Sequence, residues 1–246
     1  MKISNNDSFI KPKANRNQLR SEATRSTILN VAREIFITKG YYQSTVEELI
    51  ELSNVSKGAF YHHFQSKSDA FLAVYVQLHE EIAEAARESA KHPDPWKALV
   101  ATFDRYFLAV SQPAVYRFLL LDSKSVLTRA KQLEIDNLYG NAVVSEVVQR
   151  AILAGCLSRR LEPSTSVIVG GVVDSLVDWC AYQPNPTDFL KVVRKKFMVF
   201  LEMLREADGD PNNTNTLRPD LSHARRKRYD QQVSQLPPRG SRSRAA

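Results

Sequence analysis

The sequence predicts an all-α fold of about nine helices, and three observations carry that prediction. Apolar residues recur at helical spacing, as in Ile28, Leu29, Ala32, Ile35 and Phe36, or Val144, Val147, Val148, Ala151 and Ile152. Prolines fall between such stretches, at Pro93, Pro95, Pro113, Pro163, Pro184 and Pro186, where a helix interior would not accept them. No run of alternating polar and apolar residues is bounded by hairpin turns.

Residues 1–20 lack periodic apolar positions and carry Lys2, Lys11, Lys13, Arg16 and Arg20, which predicts a disordered basic arm. The first helix begins at Ser21, and Gly40 stops it at a typical position just past a C-terminus. Ser44 or Thr45 caps a second, short helix with Glu47 or Glu48 placed for a capping box. Ser53-Asn54-Val55 breaks that helix, asparagine being tolerant of a left-handed turn. Ser56 caps a third helix reaching about Phe64, and Ser66 or Ser68 starts a long fourth one. Later helices are expected at about 96–110, from Pro113 through Leu121, at about 128–154, from Pro163 to about Ala181, and at about 187–206. Beyond Asp208 the composition turns polar, and residues 208–246 read as a disordered basic tail.

Composition narrows the class. Of 246 residues, 43% are apolar and 25% charged, as in ordinary globular proteins. Two cysteines cannot build a disulfide framework. The longest apolar runs fall far short of the about 18 residues of a membrane span, and Met1–Lys13 has no apolar signal core. A cytoplasmic protein with no membrane partner is expected. Lys and Arg number 34 against 27 Asp and Glu, and the excess sits at the two ends around a near-neutral middle. A basic end on a neutral body points to a polyanion-binding module joined to something else.

Three short helices followed by a long one make that module. A three-residue turn joins the second helix to the third, which is helix-turn-helix geometry with the later helix in the DNA major groove. Such a helix must be short and polar on its outer face. Ser56, Lys57, Tyr61, His62, His63 and Lys67 meet that need, while Val55, Phe60 and Phe64 face inward. Thr45 opens the second helix, where a hydroxyl and free backbone N–H groups favour a phosphate.

Ser21 to Phe71 resembles the N-terminal domain of the tetracycline-repressor (TetR) family of bacterial regulators. The resemblance rests on the Ile28–Phe36 stripe, Lys39-Gly40-Tyr41, Ser44-Thr45-Val46-Glu47-Glu48-Leu49, and Val55 through Phe64 with Lys67. It implies that Gly58 lets the reading helix approach DNA closely. It implies that Tyr61, His63 and Lys67 bind phosphates, and that Ser56, Lys57 and His62 lie at or near base edges. The chain departs from the family pattern at Ser53-Asn54, usually Ala-Gly, and at Ile50, often a small residue. The implied organisation is a DNA-binding domain over 21–67 and a helical ligand-binding and dimerisation domain over 68–207. The implied function is a sequence-specific transcriptional regulator, a homodimeric repressor released from a palindromic double-stranded operator by an unknown small-molecule effector. Dimerisation falls to the last two helices, rich in Val, Leu and Phe, with Gly170-Gly171 permitting close approach.

Candidate pocket residues are Trp96, Phe103, Tyr106, Phe107, Tyr116, Phe118, Asp174 and Trp179. Aromatic residues at this spacing also suit plain core, and Asp174 and Asp178, which could orient a ligand, also suit a solvated or dimer-contacting face. His62 and His63 are adjacent, point apart on a helix and lack the spacing of a chelating pair, so no metal is expected. Cys156 and Cys180 read as core cysteines in preference to a redox switch. The Arg225-Arg226-Lys227-Arg228 cluster reads as a solvated tail. No Gly-rich phosphate loop, nucleophile elbow or paired-carboxylate motif appears, so neither catalysis nor a cofactor is expected.

Overall fold

The computed structural model describes residues 16–159 and 164–206. Ten helices span them, with no strand among the described residues. Helix α1 (Arg16–Thr38) buries Ile28, Ala32, Ile35 and Phe36, the stripe seen in the sequence. It begins five residues before Ser21, so Arg16 and Arg20 belong to a helix and not to the arm. The rest of the arm, Pro163 and the tail with its Arg225–Arg228 cluster lie outside the described residues.

Helix α2 (Val46–Ser53) is capped by Thr45, whose hydroxyl accepts from the Glu48 N–H at 3.1 Å. Ser44 does not cap; its side chain is buried and donates to the Tyr41 carbonyl at 2.7 Å. Asn54 ends α2 in the left-handed region, at φ 52°, which gives the sharp turn. Helix α3 (Lys57–His63) starts on Ser56, whose hydroxyl accepts from the Ala59 N–H at 3.1 Å. Helix α4 (Lys67–Ala90) starts on a reciprocal cap: Ser66 accepts from the Asp69 N–H, and Asp69 accepts from the Gln65 N–H.

Asp94 caps α5 (Pro95–Val110) by accepting from the Trp96 and Lys97 N–H groups. Helix α6 spans 113–126 and contains a π-helical stretch, Arg117–Asp122, where the Ser123 N–H reaches back five residues to the Phe118 carbonyl. The single helix expected over 128–154 is two: α7 (Arg129–Leu138) and α8 (Gly140–Leu153). Tyr139, at φ −109° and ψ −66°, stays in the right-handed region but well off ideal helix values, beside a glycine of low helix propensity. Helices α9 (Thr165–Cys180) and α10 (Pro186–Glu206) complete the chain.

One aromatic column ties the N-terminal helices to the rest. Phe36 of α1 packs on Phe71 of α4 at 5.4 Å, and Phe71 on Phe118 of α6 at 4.5 Å. All three are fully buried, each worth about 1.5–3 kcal/mol of transfer free energy. A second cluster joins α5 to α10 through Phe103, Phe107 and Phe197. Arg150 of α8 closes the C-terminus of α4, donating to the carbonyls of Ala90, His92 and Pro93.

Candidate nucleic-acid interface and internal cavity

The outer face of α3 is built by its first turn. Ser56, Lys57 and Gly58 are all exposed, while Phe60 and Phe64 are buried beneath them. Tyr61 and His62 continue the exposed face, with Tyr61 held edge-on against Phe60. Gly58 has no internal explanation. Its φ is not positive, and among the described residues a Cβ there would meet only Ser56 Oγ, at 4.0 Å. A glycine in a helix that needs neither room nor unusual backbone fits a face that something else approaches. Exposed Thr45 stands at the N-terminus of α2, with exposed Tyr42 beside it, an aromatic that no sequence pattern singles out.

Two side chains behave differently from expectation. Lys67 turns inward: Nζ donates to the Tyr41 and Ser44 carbonyls, both at 2.8 Å, and sits 4.1 Å from the Tyr41 ring centre. Two of its three protons hold the α1–α2 connection instead of facing a phosphate, and burial lowers its pKa. The rings of His62 and His63 do not splay apart but meet edge to face at 5.0 Å. His63 is half-buried, and burial, then His62 and Arg25, lower its pKa, which favours the neutral ring. No group of three or more His, Cys, Asp or Glu could hold a metal among the described residues. Cys180 is buried, and burial raises its thiol pKa.

A cavity of about 130 Å³ lies among α4–α9. Of the aromatic and acidic candidates, Phe103, Tyr106 and Asp174 line it. Trp96, Phe107, Tyr116 and Phe118 are buried in the core away from it, and Trp179 is half exposed beside Phe189. Asp178 lines it beside Asp174, and Tyr75, His79 and Asp136, which were not foreseen, line it as well. Tyr75 and His79 do share one helical face, four residues apart. His79 bridges from the Tyr75 carbonyl to Asp136 Oδ1, 3.2 Å from its Nε2. Lys124 pairs with Asp178 at 3.0 Å. Asp174 opens onto the cavity and its mouth; desolvation, then Asp136 and Asp178, push its carboxyl up to about 6.

The cavity wall and the N-terminal helices share α6. Leu119, Leu120 and Ser123 face the cavity. From the same stretch, Arg117 donates to the Ile37 carbonyl at 2.6 Å, and Asp122 accepts from the Tyr41 N–H at 3.3 Å. Both hold the segment around Gly40, whose φ of 90° makes the turn out of α1.

On α9 and α10 several apolar side chains are left half or more exposed by the described residues: Val167, Trp179, Val192, Val199 and Met203. The glycine pair divides its work. Gly170 packs inward, where a Cβ would meet Asn141 and Val144 of α8 at 3.6 and 3.8 Å, while a Cβ on Gly171 would meet nothing within 4 Å among the described residues.

Residues 28–74 match the family model for bacterial regulatory proteins of the tetR family, and residues 96–204 match a tetracyclin repressor-like C-terminal domain. The chain is 25% identical over 197 residues to the HTH-type transcriptional regulator TtgR of Pseudomonas putida, covering 75% of this chain and 93% of that one. It is 33% identical over 92 residues to the transposon Tn10 TetC protein of Escherichia coli, and that match spans only 47% of TetC and 37% of this chain. The crystal structure of a TetR-family transcriptional regulator from Pectobacterium atrosepticum superposes with a TM-score of 0.67 at 22% identity, over 77% of this chain and 98% of that one. At that identity the likeness concerns the fold.

Proposed function

We propose that this chain, which belongs to the tetR family of bacterial regulatory proteins, is a dimeric repressor that leaves a palindromic operator when a small molecule fills the cavity. Ser56, Lys57 and His62 read or border base edges from α3. Thr45, Tyr61 and His63 hold phosphates, and Gly58 admits the backbone to the groove. Lys67 serves recognition by fixing the α1–α2 connection. Two copies meet through the uncovered face of α9 and α10, setting the reading helices about 34–36 Å apart, one DNA turn. The chain works by binding and not by catalysis. No helix among the described residues is long and apolar enough to cross a membrane, which suits action on DNA in the cytoplasm.

One observation carries the coupling: α6 lines the cavity with one side and holds the α1–α2 connection with the other. A ligand that displaces Leu119 or Leu120 strains Arg117 and Asp122, and through them the angle of the reading head. Coupling of this kind is typically about 1–3 kcal/mol.

The test is fluorescence anisotropy on DNA from upstream of the chain's own gene, against a scrambled duplex at physiological salt. The expected preference is about a thousandfold or more. Lys57→Ala and Tyr61→Ala each abolish operator binding while folding and dimerisation persist. Wild-type affinity in Tyr61→Ala removes that residue from the interface. Binding driven by the basic ends would instead ignore sequence and vanish on deleting residues 209–246.

A further inference from the structure

We propose that the cavity takes a small neutral aromatic molecule that donates an N–H or O–H hydrogen bond to the side-chain carbonyl of Gln132; this rests on the reading of the cavity as the effector site. Gln132 of α7 lines the cavity and is only 5% exposed. Its amide nitrogen donates to the Ser123 carbonyl at 3.0 Å and to the Leu127 carbonyl at 3.4 Å. Both neighbours are acceptors, so the nitrogen must face them and the oxygen is the end left over. Gln132 Oε1 has no hydrogen-bond partner among the described residues. Buried polar atoms are normally satisfied, so an acceptor held in a cavity wall points to a donor from outside the chain.

The other buried hydroxyls of the wall agree. Thr102, 3% exposed, commits its proton to the Ala98 carbonyl at 2.8 Å. Ser123, 1% exposed, commits its own to the Leu119 carbonyl. The buried Tyr75 phenol turns to the Ser123 hydroxyl, which has given its proton away and therefore accepts. With these protons committed, the buried wall offers lone pairs, at Gln132 Oε1 and Thr102 Oγ. A ligand with acceptors alone would leave Gln132 Oε1 unpaired and bring its own acceptors against it.

Charge and shape follow. His79 is bonded to Asp136 and Lys124 to Asp178, while Asp174 and Arg129 stand exposed to solvent. An ion carried past them into the buried part would lose its hydration and meet no free counterion there. Tyr75, Phe103, Val110 and Leu119 supply apolar and aromatic walls, and a cavity volume of about 130 Å³ keeps the body small. The same Gln132 amide holds the carbonyl of Ser123, the residue that follows the π-helical stretch, so a ligand on Oε1 stands one side chain away from α6.

The experiment is calorimetric titration of the full-length chain at pH 7.5 with two pairs of probes. Indole and benzofuran share one shape and differ in the N–H; 4-methylphenol and 4-fluorotoluene differ in the O–H. The donor of each pair is expected to bind about tenfold or more tighter than its partner. Gln132→Met erases that margin, and Asp174→Asn, which alters an exposed carboxylate, keeps it. A second measurement needs no variant: with labelled indole on the parent chain, NMR should show an N–H that exchanges slowly with water and a cross-peak to the Gln132 side-chain amide protons. Equal affinities within both pairs, preference for the members without a donor, no binding by any probe, a margin that survives in Gln132→Met or is lost in Asp174→Asn, or a bound indole N–H in fast exchange each overturn the proposal. Operator release by indole and 4-methylphenol is read separately by anisotropy. Donor-selective binding without release upholds the Gln132 site and defeats the effector reading. Release without donor selectivity upholds that reading and overturns the Gln132 site.

Discussion

Replacing Gly58 with alanine adds one methyl group to the exposed side of α3. Among the described residues that methyl meets only Ser56 Oγ, at 4.0 Å, an ordinary contact distance. The backbone there is not in the left-handed region, so alanine adopts it without strain. Glycine inside a helix costs about 0.5–1 kcal/mol relative to alanine, because it loses more conformational freedom on folding. Gly58 is the second residue of α3, so the stabilisation expected is at the lower end, about 0.5 kcal/mol. For a body of this size that raises Tm by about 1–2 °C. On the proposed reading, the same methyl stands where the helix approaches DNA. A loss of about 1.4 kcal/mol or more in binding, tenfold in Kd, is expected from pushing the helix out of the groove. Thermal unfolding and operator anisotropy are measured on one preparation. Stability should rise while affinity falls. Operator affinity within about twofold of the parent would refute the close-approach role, since the methyl would then meet nothing in the complex either. A lowered Tm would refute the packing argument on which it rests.

Arg117→Met keeps the side-chain stem and removes a charged donor from the Ile37 carbonyl. The expected loss is about 1.5–3 kcal/mol by chemical denaturation, and an unchanged midpoint means that this contact holds nothing. Lys67→Met removes the donor to the Tyr41 and Ser44 carbonyls. It should lower stability by about 2 kcal/mol as well as weaken operator binding, whereas a purely phosphate-contacting lysine would leave stability unchanged and flatten the salt dependence. Asp174 predicts a pH effect. Its folded pKa, pushed up to about 6, lies above the ordinary 3.8, so between these values the folded chain binds protons that the unfolded chain does not. Folding is therefore weakened as pH rises through that window, and the weakening is complete above it. Asp174→Asn should raise Tm most near pH 7.5, with the gain fading below about pH 4; a gain independent of pH would show that the charge is not its cause.

The reading head was legible because its signals are local. A hydroxyl at Thr45 or Ser56 caps a helix within three residues of itself, and Asn54 makes its left-handed turn alone. The cavity was not legible because its wall is assembled from α4–α9. Aromatic residues at helical spacing look alike in sequence whether they meet a neighbour or a void. Phe103 and Phe107 sit one turn apart on α5, yet only Phe103 reaches the cavity. The break at Tyr139 was hidden for a related reason. Apolar positions continue across it, with Ile135 buried before and Val143 after, and only the backbone changes course. The family resemblance implied that Lys67 binds a phosphate, while its direction is set by the carbonyls of Tyr41 and Ser44, more than twenty residues earlier.

The π-helical stretch of α6 explains how one helix serves both the cavity and the reading head. In an α-helix of 3.6 residues per turn, Arg117 and Asp122, five apart, would point about 140° away from each other. A π turn closes its hydrogen bonds over five residues and brings such a pair toward the same side. Here both reach the Ile37–Tyr41 segment. Leu119, Leu120 and Ser123 are left to face the cavity. The clamp on the reading head thus depends on the helix staying wide at this point. Packing against Leu119 and Leu120 acts on that width directly, since rewinding the stretch to α geometry would separate Arg117 from Asp122 and release one of the two contacts. Arg117 donates from one nitrogen to the Ile37 and Phe36 carbonyls, at 2.6 and 3.4 Å, and Asp122 Oδ2 accepts from the Tyr41 N–H at 3.3 Å, so two side chains of this stretch carry the clamp. A clamp carried by two side chains is one that occupancy of a neighbouring cavity is able to shift.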